Sequence, residues 1–287
     1  MPSLLHLAIS PCPNDTFLFE ALAHGQTSLG QPETHFLDIA ELNTLAGSPN
    51  GPDLIKVSCA SVPLFLKHYR LLPCGGAMGE GCGPLLLRRP ETTELSQVAI
   101  PGRATTAHAL FRFYLEQSSL TAPQEQLRRF DEIPAAILKG DVDHGVVIHE
   151  TRFVYRELGL EAAVDLGEFW ERKTSSPIPL GALLARRDRG EAFAREAVAA
   201  VQQSLDAAWQ RPEPLTPWIS QHAQEMAPEV QRSHIATYVT PYSRDIGERG
   251  IKALELLWTT AGALLPEKWP ESASIALALE ETACLRR

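Results

Sequence analysis

The stretch Gly140-Asp141-Val142-Asp143-His144-Gly145-Val146-Val147-Ile148-His149-Glu150-Thr151-Arg152 constrains the fold most strongly. A Gly-Asp-Val-Asp turn leads into Gly145-Val146-Val147-Ile148, a short apolar β-branched run that stops abruptly at His149. Such a run reads as a strand buried on both faces, the kind found in parallel sheets. In open α/β sheets the ligand crevice lies beyond the carboxyl ends of the strands. A histidine that is the first polar residue there is a candidate general base, since an unperturbed imidazole titrates near ~6.5. The plainer alternative is a histidine that closes the strand by bonding a neighbouring carbonyl.

Similar strand-to-helix transitions recur along the chain. Leu4 to Ile9 predicts a first strand. After it, Ser10-Pro11-Cys12-Pro13-Asn14-Asp15-Thr16 makes a stiff turn into a helix that ends near Gly25, with Asn14 or Asp15 as N-cap. That turn is more elaborate than a βα turn of 2–3 residues requires. His35 to Ile39 and Leu54 to Ser58 predict strands, with a weak helical turn at Ile39 to Leu45 between them. Lys56 and Ser58 flank Val57, so both point to one face, read as the cleft side. An edge strand with a solvated lysine is the alternative. A short helix is expected over Ala60 to Tyr69.

Five glycines fall between Gly75 and Gly83, but neither a P-loop nor a dinucleotide fingerprint is present. That segment predicts a turn where backbones approach closely, leading through Pro84 into a strand at Leu85 to Leu87. Val98 to Ile100 predicts another strand. Pro101-Gly102-Arg103-Ala104 and a helix capped by Thr105 or Thr106 follow. The free amides and positive end of such a helix make an anion site, and a carboxylate suits it better than a phosphate. Arg103 is close enough in sequence to add charge. Leu127 to Phe130 as a strand, Ile133 to Lys139 as a helix and Val142 to Ile148 complete a βαβαβ set over ~97–150.

Further strands are expected at Val164 to Leu166 and Leu180 to Ala185, then a long amphipathic helix over 190–211 and two or three more helices. That long helix is compatible with a core, a lobe interface or a homodimer interface. His234 stands at helical spacing from Tyr238, a pairing read as packing. Crossings near 88–97 and 174–179 predict an α/β chain of two lobes. The first lobe comprises 1–94 and 178–287, and the second is an insertion at 95–177. A length of 287 residues accommodates two such cores.

Composition removes several classes of function. Net charge is −9 and no Lys/Arg cluster forms a basic face, which argues against nucleic acid as a partner. No apolar run reaches ~18 residues, so no membrane span is expected. The five cysteines contain no CxxC pair, which argues against a disulfide framework and a zinc site and points to a reducing, cytoplasmic location. Met1 to Ser10 lacks the features of a signal peptide.

Taken together, Ser10-Pro11-Cys12-Pro13-Asn14-Asp15-Thr16-Phe17, Lys56-Val57-Ser58, Pro101-Gly102-Arg103 with Thr105-Thr106-Ala107, and Ile148-His149-Glu150-Thr151-Arg152 resemble the 1,4-dihydroxy-6-naphthoate synthase family of the futalosine route to menaquinone. The resemblance runs in order over nearly the whole chain, and its first and last motifs are the specific ones. It implies a type 2 periplasmic-binding-protein-like fold with a ligand cleft between lobes. It also implies a lyase acting on cyclic dehypoxanthine futalosine, releasing a three-carbon fragment (dihydroxyacetone), with no metal or organic cofactor. His149 matches the family's proton acceptor. Lys56, Val57, Ser58, Thr106 and Ala107 match substrate-contact positions, and Asn14 sits in the signature turn. Cys59 departs from the aromatic residue that the family pattern has after that serine. Competing expectations are a chorismate dehydratase of the same pathway, a non-catalytic small-carboxylate-binding protein of the same fold, and a hydrolase using a low-pKa Cys12 at its helix start.

Overall fold

The computed structural model describes residues 4–224 and 227–286. Two sheets carry the fold. The first contains β1 (His6–Ile9), β2 (Glu33–Phe36), β3 (Leu54–Ser58), β4 (Tyr69–Leu71), β5 (Ala77–Gly79) and, last in the chain, the long strand Ile178–Arg186. The second contains β6 (Leu85–Arg88), β7 (Gln97–Ile100), β8 (Gln124–Leu127), β9 (His144–Val147) and β10 (Glu161–Asp165), which makes Ile178–Arg186 β11.

In the first sheet β1 lies parallel to β2 and β3, and β11 runs antiparallel to β3, β4 and β5. In the second, β7 lies parallel to β8 and β9, while β6 runs antiparallel to β9 and β10. The expected βαβαβ set is therefore present as β7, helix Thr106–Gln117, β8, helix Ile133–Lys139 and β9. Its strands are buried because helices cover the sheet, and Val146 and Val147 are fully enclosed. Removing each valine from water contributes roughly 1.5–3 kcal/mol. Gly145 is required by that packing. A Cβ there would sit 2.4 Å from Ile133 Cγ2, so the helix could not approach the strand.

Several expectations need correction. The first helix is Pro13–Ala23 with Cys12 at its N-cap, so Asn14 and Asp15 lie inside the first turn. Proline fits the first helical position, where its missing N–H has no helical partner. The second strand is Glu33–Phe36, and Asp38 then caps helix Ile39–Ala46 through a capping box with Glu41. Tyr69 opens β4 rather than closing a helix, because Val62–Phe65 is only one turn. β8 ends at Leu127, three residues before the expected end, and Arg128 to Phe130 lead into the next turn. Leu166 starts helix Leu166–Thr174 under an Asp165 cap instead of ending a strand. Five helices, rather than two or three, follow the long helix Gly190–Trp209 among the described residues.

The crossings between sheets also differ from the sequence reading. Leu85–Arg88 pairs with β9 and β10, so the chain leaves the first sheet at 80–84 rather than near 88–97. It returns after helix Leu166–Thr174, near the expected place. At this crossing Gly83 packs backbone to backbone against Gly167, and a Cβ on Gly83 would lie 2.3 Å from Gly167 Cα. The close approach expected of the glycine-rich segment is met at this point. Among the described residues no helix is long and apolar enough to cross a membrane.

Candidate active site

The carboxyl ends of four parallel strands converge on one cavity. After β1 come Ser10, Asn14 and Asp15; at the end of β3 are Lys56 and Ser58; after β7 come Thr105, Thr106 and Ala107; after β9 come Ile148 and His149. Leu180 and Gly181 from β11 and His234 and Tyr238 from helix Pro228–Tyr238 complete the wall, with Cys82 to Pro84 at the crossing. Open sides included, the space is about 690 Å³, within the usual range for a small-molecule site.

His149 adopts a left-handed backbone at φ +58°, rare for a residue with a Cβ. This turn reverses the chain at the strand end and swings the imidazole into the cavity. Three residues on, Arg152 fixes the loop by donating to the carbonyls of Gly83 (2.6 Å) and Gly81 (3.1 Å) and to Asp165 Oδ2 (2.6 Å). The imidazole stands edge-on to Phe130, with ring centres 4.9 Å apart, and its Nδ1 is 3.4 Å from Cys12 Sγ. The ring retains some exposed surface but is enclosed by protein on the cavity floor. Burial pushes its pKa down to about 4, against the upward pull of Asp15, so it is neutral at pH 7.

Asp15 organises the first turn. Its carboxylate accepts from Ser10 Oγ (2.7 Å), Ser10 N (3.3 Å), Asn14 Nδ2 (2.8 Å) and Lys56 Nζ (2.7 Å). Lys56 also donates to the carbonyl of Gly75 (2.8 Å). Both charged side chains are 3% exposed, so this is a buried ion pair on a central strand, and the alternative of a solvated edge lysine is excluded. Two of the three ammonium donors are thereby committed to holding the turn. Ser58 Oγ accepts from Asn43 Nδ2 (3.2 Å), and its N–H donates to Asn43 Oδ1 (2.9 Å).

Thr105 is the N-cap of helix Thr106–Gln117, its Oγ accepting from His108 N at 3.1 Å. Ala104, at φ +55°, turns the chain into it. The first amides of the helix, on Thr106 and Ala107, have no helical carbonyl to bind and stand at the cavity wall. Thr106 Oγ donates to Leu180 O and accepts from Ala60 N, tying elements of the two sheets together.

Asn14, Lys56, Ser58, Thr105, Thr106, Ala107 and His149 are thus brought together. Val57 is not among the cavity residues. Its side chain faces the opposite side of β3, fully enclosed in the core. Arg103 is not either. It is half exposed, 3.9 Å from Glu125, and lines a separate surface groove with Arg128 and Arg129, so it adds no charge at the helix start. Cys12 also departs from expectation. Burial and the neighbouring Glu150 push its pKa well above the usual thiol value, which removes the basis for a low-pKa nucleophile.

Sequence reasoning passed over Asp15, whose stiff polar turn was the available signal, and His234, read as packing. His234 does stack on Tyr238, with ring centres 4.6 Å apart. Yet it is 1% exposed, faces the cavity, and among the described residues neither ring nitrogen has a hydrogen-bond partner.

Known proteins agree with this architecture. A family described as menaquinone biosynthesis matches residues 5–263. A 1,4-dihydroxy-6-naphthoate synthase from Streptomyces coelicolor is 44% identical over 275 residues, covering 93% of this chain and 97% of the relative. One from Thermus thermophilus is 42% identical over 262 residues, covering 90% and 94%. Among solved structures, a protein from Archaeoglobus fulgidus superposes with a TM-score of 0.83 at 27% identity, covering 92% of this chain and 98% of its own. The alkanesulfonate-binding protein from Xanthomonas axonopodis superposes at 0.71 with 15% identity, covering 96% and 98%, a likeness of fold alone. The two-sheet architecture is therefore a periplasmic-binding-protein-like fold, and the chain belongs to the menaquinone biosynthesis family, with 1,4-dihydroxy-6-naphthoate synthases as relatives along nearly its whole length.

Proposed function

We propose that the protein is a carbon–carbon lyase that converts cyclic dehypoxanthine futalosine into 1,4-dihydroxy-6-naphthoate with release of a three-carbon fragment, and that His149 is its base. The observation that carries the reading is the position of His149, a neutral imidazole in a left-handed turn at the end of β9, in the same cavity as an open helix start. A base of this kind needs no prior deprotonation at neutral pH. Removing one proton from the sugar-derived part of the substrate triggers C–C cleavage, and the gain of aromaticity in the product drives it.

The other residues orient the reaction. The amides of Thr106 and Ala107 receive the substrate carboxylate at the positive end of a twelve-residue helix. Ser58 and Asn14 offer polar contacts to hydroxyl or carbonyl oxygens. Lys56 acts by holding Asp15, and through it the Ser10 to Asp15 turn. The cavity between the sheets excludes bulk water from the intermediate.

The test is incubation of purified protein with cyclic dehypoxanthine futalosine in EDTA, with product followed by absorbance and mass. Formation of 1,4-dihydroxy-6-naphthoate is the expected result. Tight binding without product would make the protein a binding module of this fold. No binding, with dehydration of chorismate instead, would make it the sister enzyme.

A further inference from the structure

We propose that Cys12, His149 and His234 form a binding site for a soft divalent cation, Zn²⁺ foremost, and that the cation switches the enzyme off by occupying its base. The ligand atoms of these residues and of the adjoining Glu150 carboxylate all lie within 4.8 Å of one another. Cys12 Sγ and His149 Nδ1 are 3.4 Å apart. Bond lengths of about 2.3 Å for Zn–S and 2.0–2.1 Å for Zn–N at a tetrahedral angle separate sulfur from nitrogen by about 3.6 Å. This pair therefore already stands at the spacing of two ligands on one zinc ion.

His234 supplies the independent observation. Buried polar groups are almost always hydrogen-bonded. His234 is 1% exposed with both ring nitrogens unpartnered among the described residues, and it faces the same cavity. Burial, with His149 nearby, holds its pKa well below the usual value, so it presents a nitrogen lone pair without having to lose a proton. Thiolate plus two imidazoles is a donor set that favours zinc over magnesium or calcium. Binding releases one proton, because the Cys12 thiol must become a thiolate as the sulfur–metal bond forms. Sequence spacing cannot reveal this set, because the ligands come from β1–helix, β9–helix and helix Pro228–Tyr238 connections far apart in the chain.

The inhibitory consequence rests on His149 being the base, but the site itself does not, and the experiment separates the two. Chelator-treated full-length protein is titrated with Co²⁺ in the absence of substrate, followed by Zn²⁺ competition. The expected result is one Co²⁺ per chain, with a thiolate-to-cobalt charge-transfer band and the intense visible bands of tetrahedral cobalt, displaced by Zn²⁺. Cys12→Ser should abolish the charge-transfer band. His234→Gln should weaken binding by about 10–100-fold or more, with circular dichroism confirming that both variants are folded. His35→Ala should leave the spectrum intact, since the exposed His6, Glu33 and His35 group is the other cluster with suitable donors among the described residues. Zn²⁺ should inhibit turnover over the concentration range in which it displaces cobalt, with reversal by EDTA. Absence of the charge-transfer band, or loss of binding in His35→Ala alone, overturns the site. A cobalt band in Cys12→Ser identical to that of the wild type does the same. Binding at Cys12 and His234 with turnover insensitive to Zn²⁺ overturns the inhibitory role while keeping the site.

Discussion

Lys56→Met tests whether the buried ion pair holds the first turn of the site. The substitution keeps the length and most of the volume of the side chain while removing its charge. Asp15, at 3% side-chain exposure, would lose a 2.7 Å charge-assisted bond and keep those from Ser10 Oγ, Ser10 N and Asn14 Nδ2. The carbonyl of Gly75 would lose its donor as well. Removing one partner of a buried pair costs about 3–5 kcal/mol, because the other charge stays buried and uncompensated. The three remaining bonds to Asp15 place the expected loss near the lower end, about 3 kcal/mol, or roughly a hundredfold in the folding equilibrium at ~1.4 kcal/mol per tenfold. Urea unfolding followed by fluorescence and circular dichroism should show a lower midpoint with an unchanged slope. Asp15→Asn alone should also destabilise. The double variant should lose less than the sum by about 0.5–3 kcal/mol, since residues in one network couple. A Lys56→Met protein within about 1 kcal/mol of wild type, with an additive double variant, would refute the idea that this pair organises the turn.

Further outcomes follow from the same geometry. His149→Ala should lower kcat by about 10²–10⁴-fold with KM changed little; a variant with near wild-type turnover removes the proposed base. The acid limb of kcat/KM should lie near pH 4 and leave activity flat between about pH 5 and 7, because burial pushes the His149 pKa down to about 4; a limb near pH ~6.5 would contradict this. The same depressed pKa makes folding stability fully present above the unfolded value of ~6.5 and progressively lost as pH falls toward about 4, measurable as a falling urea midpoint. Thr105→Ala should cost about 1 kcal/mol through loss of the cap on His108 N and raise KM for an anionic substrate, and Thr105→Ser should restore both; equal KM in the two variants would refute the anion role. Gly83→Ala should destabilise by about 1–3 kcal/mol or more, read from thermal unfolding, because its Cβ would meet the Gly167 backbone at 2.3 Å; a neutral effect would mean that the crossing opens freely.

The parts of the fold legible in the sequence were those with local causes. The bounds of Leu54–Ser58 and Ile133–Lys139 follow from a β-branched run that ends in polar residues and from a helix with proline at its second position and glycine at its end. Thr105 as a cap follows from the same local logic. Elements fixed by distant partners were less legible. Ala77–Gly79 becomes a strand only because β11 pairs with it, and nothing in Gly-Gly-Ala-Met-Gly foretells that. β6 belongs to the second sheet because β9 and β10 flank it, a fact invisible at Leu85 to Leu87 alone. The same division separates the site residues. Thr105 stands at a helix start and His149 just past a strand end, where position implies a cleft. Arg103 lies in the loop between β7 and that helix, and a left-handed Ala104 turns the chain between it and the helix start. Helical spacing to Tyr238 explains the ring of His234 as packing but says nothing of its two nitrogens.

The binding-protein likeness and the proposed chemistry meet in the order in which the cavity is built. A periplasmic-binding-protein-like cleft already supplies facing strand ends and a helix start able to hold an anion, features that bind a ligand without changing it. A catalytic reading requires in addition a base whose state at neutral pH suits proton removal and whose position is fixed before substrate arrives. The left-handed backbone of His149 provides the position at an energetic penalty of order 1–3 kcal/mol, and the Arg152 clamp onto Gly81, Gly83 and Asp165 offsets that strain by tying the loop to the sheet crossing. Burial provides the neutral state. The same enclosure brings Cys12 and His234, whose ring nitrogens have no hydrogen-bond partner among the described residues, into reach of that base, so the device that prepares His149 for proton transfer also creates the donor set that a zinc ion would seek. Sensitivity to soft metal ions is, on this geometry, a consequence of how the base is buried.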